Sequence, residues 1–216
     1  MENVREFLPA AGRDELLPFY DPLVRLIGGD RRRRRLIEQA ALRPGLRVLD
    51  VGCGTGTLLV DIQRRESGIT ATGLDPDPKA LSRARRKAER AGVSVRFDQG
   101  FSDQLPYADA SFDRVFSSFM LHHLKADEQE RTLREVRRVL VPGGSLHLLD
   151  FVQPLGGHQS VFARLVHAHE SMDQNTRERL LALLEQAGFS EAKELARRRM
   201  ALQPIAYFRA VAAASS

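Results

Sequence analysis

Tryptophan is absent from this chain, cysteine occurs once, and 4 of the 33 basic residues are lysine. The single Cys53 excludes an intrachain disulfide framework and a zinc site built from several thiolates. It fits a reducing, cytoplasmic compartment. No apolar run approaches the roughly 18 residues that a membrane span needs. Met1 to Ala10 carries Glu2, Arg5 and Glu6 and no apolar secretion core, so no signal peptide is expected.

What is present is ordinary for a globular protein. The 216 residues are 43% apolar and 28% charged, enough for one domain with appendages. The net charge is +5, and 29 of the basic residues are arginine. Arginine-rich usage follows equally from genome base composition and from function. The densest run, Arg31 to Arg35, precedes the apolar pattern Leu36, Ile37, Ala40, Ala41 and reads as the early turns of a helix. A helix spreads five consecutive residues around its circumference. That favours a solvated helix start over a nucleic-acid stripe.

Helical pieces broken by Pro9, Pro18, Pro22 and Gly28-Gly29 occupy residues 1–40, and the main domain spans 41–216. Strands are expected at Leu46–Val51, Ile69–Leu74, Val93–Phe97, Phe112–Phe119 and Ser145–Phe151. Helices of about a dozen residues fit between them, at Thr57–Arg65, Pro78–Ala91 and Asp127–Leu140, the last stopped by Pro142-Gly143-Gly144. A less regular insert follows over 154–175, then a helix at Thr176–Ala187 and two strands joined tightly, Glu194–Met200 and Ile205–Val211. The alternation implies an α/β fold: a doubly wound, mostly parallel seven-stranded sheet whose last strand is antiparallel. A nucleotide-like ligand belongs at the carboxyl ends of the strands, beside the first.

The segment Val48-Leu49-Asp50-Val51-Gly52-Cys53-Gly54-Thr55-Gly56 runs from strand to turn to helix, with glycine at three alternate positions. Glycine admits positive φ and close approach of a ligand. A dinucleotide loop uses the same physics, but here the third glycine falls one residue early and Asp50 stands two residues before the loop. An acid there repels a pyrophosphate and suits an ammonium group. Asp75 ends the second strand, where an acid accepts both hydroxyls of a ribose. Asp77, directly before Pro78, is the better helix cap.

Together with Leu105-Pro106, Ser111-Phe112-Asp113 and Arg138-Val139-Leu140-Val141-Pro142-Gly143-Gly144, these residues resemble the class I S-adenosylmethionine-dependent methyltransferases. The branch resembled most is that of the ubiquinone/menaquinone-biosynthesis and related small-molecule enzymes, over residues 40–152. The resemblance implies that Asp50 meets the methionyl amino group and that Gly52, Cys53, Gly54, Thr55 and Gly56 run under the methionyl part. It implies that Asp75, with Pro76 beside it, holds the ribose and that Ser118 lines the cofactor. The adenine positions fall on Phe101 and Ser102; Phe101 cannot accept the usual hydrogen bond, so it would pack on the purine while Ser102 or Asp103 takes the polar role. Tyr20 matches a tyrosine of a covering amino-terminal helix.

Methyl transfer needs alignment of the nucleophile, exclusion of water and removal of at most one proton. His122 and His123, just after the fourth strand, and Asp150, ending the fifth, are the candidates for that proton. His167, His169 and Glu170 lack the i, i+4 spacing of a helical metal site, and no metal is expected. No Asn-Pro-Pro-Tyr-like tetrapeptide follows the fourth strand, whose end reads Ser117-Ser118-Phe119-Met120. This argues against methylation of nucleic-acid bases or protein amides. The expectation is a small organic acceptor. A lipid or quinone precursor with peripheral membrane contact through the arginines, or a cofactor-binding protein without turnover, are the alternatives.

Overall fold

The computed structural model describes residues 29–152, 169–200 and 203–213. The elements are α1 (Gly29–Glu38), β1 (Arg47–Val51), α2 (Thr57–Arg65), β2 (Thr70–Asp75), α3 (Pro78–Ala91), β3 (Arg96–Gln99) and β4 (Phe112–Ser118). A 3-10 turn (Leu121–His123), α4 (Ala126–Val139), β5 (Leu140–Phe151), α5 (His169–Gln186), β6 (Phe189–Met200) and β7 (Gln203–Ala212) follow. The seven strands form one sheet in the order β3-β2-β1-β4-β5-β7-β6. β1 pairs in parallel with both β2 and β4, and β7 runs antiparallel to β5 and β6. The mostly parallel, doubly wound sheet with an antiparallel last strand is therefore present. Its order reverses at β1, and that reversal opens the crevice in which such sheets bind ligands.

Strand alternation divides the core. Leu49, Val115, Leu148 and Phe208 turn to one face with Leu133, Val136 and Leu184 of α4 and α5. Val48, Phe116, Leu149 and Tyr207 turn to the other, with Leu36, Leu59, Ile62 and Leu81 of α1, α2 and α3. Burial on both faces is what the near-continuous apolar strands require.

Several element boundaries differ from expectation: β3 runs Arg96–Gln99 rather than Val93–Phe97, and β6 begins at Phe189 rather than Glu194. β5 begins at Leu140, not Ser145, because Leu140 pairs with Phe112 and a register shift before Arg114 absorbs the Pro142-Gly143-Gly144 stretch. α5 begins at His169, inside the stretch assigned to the insert. Its first residues, His-Glu-Ser-Met-Asp-Gln, contain no glycine or proline to stop a helix. Asp77 is the N-cap of α3, accepting the Lys79 N–H at 2.8 Å.

Candidate functional site

The carboxyl ends of β1, β2, β4 and β5 converge on one crevice. At the end of β1, Asp50 is 1% exposed, and its Oδ1 has no hydrogen-bond partner among the described residues. Burial, then the charge of Asp75, pushes its carboxyl well above the usual carboxylate range. An orphaned buried carboxylate oxygen is costly. Its natural complement is a cationic donor.

The glycine loop follows. Gly52, Gly54 and Gly56 have φ of 72°, 51° and 72°, a region that side chains resist. They serve different neighbours. A Cβ on Gly52 would lie 2.4 Å from Cγ of Met120, so Met120 fills that space. A Cβ on Gly56 would lie 2.8 Å from Cβ of Ala84 and 2.9 Å from the Phe97 ring. Gly56 therefore lets α2 start close against α3 and β3. Gly54 donates its N–H to Asp75 Oδ2 at 2.8 Å. The other Asp75 oxygen accepts the Asp77 N–H at 3.0 Å. Burial raises the Asp75 carboxyl, and these two N–H groups partly offset that rise.

Other loop residues are turned into the protein. Cys53 is a free, buried cysteine, and its Sγ packs beside Gly73. Thr55 is 4% exposed and its Oγ1 accepts from Lys87 Nζ of α3 at 2.9 Å. Pro76 offers its carbonyl to Gln99 Nε2 at 3.1 Å. After β3, Phe101 and Ser102 are half-buried, and the Ser102 hydroxyl lies 2.9 Å from that of Thr132. Asp103 pairs with Arg131 at 3.2 Å. Ser118 is half-buried at the end of β4. Tyr20 and His167 lie outside the described residues, and His169 and Glu170 start α5.

At the ends of β4 and β5, His122 and Asp150 meet. His122 Nδ1 lies 2.6 Å from Asp150 Oδ1, and the His122 N–H reaches Oδ2 at 3.2 Å. Phe151 N–H adds a bond to Oδ1 at 2.7 Å. With both oxygens accepting main-chain N–H groups, the carboxylate has lone pairs to offer. Nδ1 is accordingly assigned as donor, and Nε2 keeps its lone pair. His123 stacks on His122 with ring centroids 3.9 Å apart. Burial, reinforced by His122, lowers the His123 pKa to about 4. Phe151 meets the His122 ring edge-on at 5.1 Å and Phe119 at 5.0 Å. The sequence gives no sign of Met120 and Phe119; Phe119 holds φ of 55°, turning the chain so that Met120 faces the glycine loop.

The geometry agrees with the comparisons. A family model described as "Methyltransferase domain" matches residues 48–144. A protein named demethylmenaquinone methyltransferase from Thermus thermophilus is 40% identical over 146 residues, 66% of this chain and 66% of its own length, just under two thirds. An "uncharacterized methyltransferase" of Synechocystis is 34% identical over 78% of each chain. The crystal structure of the [4+2]-cyclase SpnF superposes with a TM-score of 0.68 at 24% identity, covering 86% of this chain and 81% of that one; this likeness is of fold. The chain belongs to the class I S-adenosylmethionine-dependent methyltransferases. Within them it resembles the demethylmenaquinone type of small-molecule enzyme. Its cofactor is S-adenosylmethionine, and the residues fit that molecule. The orphaned Oδ1 of Asp50 suits its ammonium, the Asp75 carboxylate suits its ribose diol, and Gly54 admits close approach. Among the described residues no helix is long and apolar enough to cross a membrane.

Proposed function

We propose that this protein transfers a methyl group to a small organic acceptor by in-line displacement, with His122 as general base. The observation that carries the reading is the 2.6 Å contact between His122 and Asp150, at the same end of the sheet as the orphaned Asp50. S-adenosylmethionine, when bound, supplies a methyl group activated by the sulfonium. Asp50 would hold the ammonium and Asp75 the ribose hydroxyls, Gly54 would admit the close approach, and Ser118, Phe101 and Ser102 would line the rest. His122 Nε2 takes the acceptor's proton, and Asp150 orients the ring and offsets the charge that forms on it. His123, whose pKa lies near 4, stays neutral at pH 7 and supports the His122 ring by stacking. Met120, Phe119 and Phe151 keep water from the reacting atoms.

The apolar, aromatic lip supports an acceptor with an unsaturated or aromatic body. A quinone or lipid precursor is the second reading, favoured by the name of the Thermus relative. The arginine run does not form a stripe. Arg33 pairs with Asp61, Arg32 binds the Arg199 carbonyl, and Arg35 lies over the Tyr207 ring at 5.6 Å. That arrangement speaks against a nucleic-acid track and leaves exposed Arg31 and Arg34 for peripheral membrane contact. An amino-terminal cover and a substrate-side insert belong to the proposal only for residues 1–28 and 154–168, which lie outside the described residues, because α1 packs Leu36 and Ile37 into the core and residues from His169 onward belong to α5. The buried free cysteine accords with a cytoplasmic location.

The test is formation of S-adenosylhomocysteine with a panel of phenols, alcohols, amines and quinols. His122→Asn and Asp150→Asn should each slow turnover by about 10²–10⁴, with affinity for S-adenosylhomocysteine kept. Binding of both cofactor forms without turnover on any acceptor would instead favour a non-catalytic cofactor-binding protein.

A further inference from the structure

We infer that Gln129, at the start of α4, is a positioning residue that holds the His122 turn in register with Asp150. The inference rests on the reading of His122 as the base.

Gln129 is 1% exposed. Its Nε2 donates to the Leu121 carbonyl at 3.0 Å and to the Leu124 carbonyl at 3.1 Å. These carbonyls flank the 3-10 turn that carries both histidines. One amide thus spans the turn, while Asp150 grips it from the other side through the His122 main-chain N–H and ring. A 3-10 turn of three residues has little hydrogen bonding of its own. Here it consists of His123 N–H to the Met120 carbonyl and Leu124 N–H to the Leu121 carbonyl. Without Gln129, the Leu121 and Leu124 carbonyls each lose a donor, and the hydrogen-bonded tie between α4 and the turn is gone.

The side chain is chosen for donation. Its Oε1 is buried with no hydrogen-bond partner among the described residues. An orphaned amide oxygen is tolerated only when the other end of the group is fully used. A small shift of the turn moves His122 Nε2 off the acceptor, and a misplacement of about 1 Å can cost on the order of 100-fold in rate.

The experiment compares Gln129→Met, isosteric and without a donor, and Gln129→Glu, isosteric with an acceptor in place of the NH2 group. Gln63→Met is the control, because Gln63 also donates a buried amide bond, to the Ile69 carbonyl at 2.6 Å, away from the turn. Ring-nitrogen NMR on the full chain, with His122 assigned through His122→Asn, reads the Nδ1–H tautomer directly. The expected result is loss of that tautomer and of its Asp150 hydrogen bond in whichever Gln129 variant folds. Turnover should fall by at least about tenfold, with an unchanged dissociation constant for S-adenosylhomocysteine. Gln63→Met should melt earlier and leave the His122 signals in place. Gln129 variants that melt earlier but keep the wild-type His122 signals overturn the inference. If His122→Asn retains wild-type turnover, the base reading fails by itself, and the ring-nitrogen comparison still decides the role of Gln129.

Discussion

Asp75 and Gly54 are joined by a 2.8 Å hydrogen bond from the Gly54 N–H to the Asp75 carboxylate, so the acid that ends β2 braces the loop that follows β1. The same carboxylate holds the Asp77 N–H at the entry to α3. Asp75 therefore shapes the glycine loop as well as being the proposed partner of the ribose. Asp75→Ala should weaken S-adenosylhomocysteine binding by about 1.5–3 kcal/mol for each lost bond to the charged acceptor, or tenfold and more in affinity. Asp75→Asn should recover only part of this, since its NH2 group opposes one of the two main-chain N–H groups. Calorimetry beside thermal melting checks both; wild-type affinity in a folded Asp75→Ala would reduce the residue to a helix-entry role.

Gly52 and Met120 share one volume. Gly52→Ala places a Cβ 2.4 Å from Met120 Cγ at a φ of 72°. The backbone strain alone is about 1–2 kcal/mol, and Met120 must also move, disturbing the turn before His122. The variant should lose both cofactor affinity and turnover. Met120→Ala in the same chain should restore part of the affinity, with a coupling of roughly 0.5–3 kcal/mol in a double-mutant cycle. Strict additivity would show that the two residues do not meet in solution.

The loop bearing Phe101 and Ser102 is tied down by α4. Arg138 donates to the Leu105 carbonyl at 3.0 Å and the Tyr107 carbonyl at 2.8 Å, and pairs with Glu135 at 2.7 Å. Glu135 in turn accepts the Leu105 N–H at 2.8 Å. A lysine cannot reproduce this fork. Arg138→Lys should speed amide hydrogen exchange across residues 101–107 and weaken cofactor binding, while exchange in β1 stays slow. Its effect should grow with pH above the acid range. The Arg138 hydrogen bond lowers the Glu135 pKa, so the pair's stabilisation is present above the unfolded value and lost as pH falls.

Much of this was legible because strand ends do most of the placing. Asp50, Asp75 and Asp150 each close a strand of a parallel sheet, and such strands deliver their last residues to one crevice. His122 follows from the turn after β4 for the same reason. The roles of the glycines were less legible. Spacing marked Gly52, Gly54 and Gly56 alike as a cradle, yet Met120, Ala84 and Phe97 arrive from other elements to claim two of the three spaces. The run Pro142-Gly143-Gly144 reads locally as a stop, but pairing of Leu140 with Phe112 carries the strand through it. Gln129 left no trace in sequence, since a glutamine in the first turn of a helix reads as surface.

Asp50 gives the clearest pH signature. Burial is the first cause of its raised pKa and Asp75 the second, and among the described residues no donor meets Oδ1. A carboxyl whose folded pKa is raised favours the folded state while protonated, and that contribution is lost as pH rises through the folded pKa. Without ligand, ionising the group is thus a burden on the fold. Asp50→Asn should raise the melting temperature of the free protein at pH 7, by the equivalent of roughly 0.5–2 kcal/mol, and should abolish binding of S-adenosylhomocysteine. The difference in stability should narrow as pH falls, because the wild-type carboxyl becomes protonated and resembles the amide. Cofactor affinity of the wild type should decline over the same acid range, with proton release on binding, since an ammonium needs the ionised form. Melting scans and calorimetry in buffers of different ionisation enthalpy measure both. An Asp50→Asn variant that is less stable than wild type at neutral pH, with undiminished binding, would mean that the carboxylate is satisfied within the protein and that the ammonium is held elsewhere.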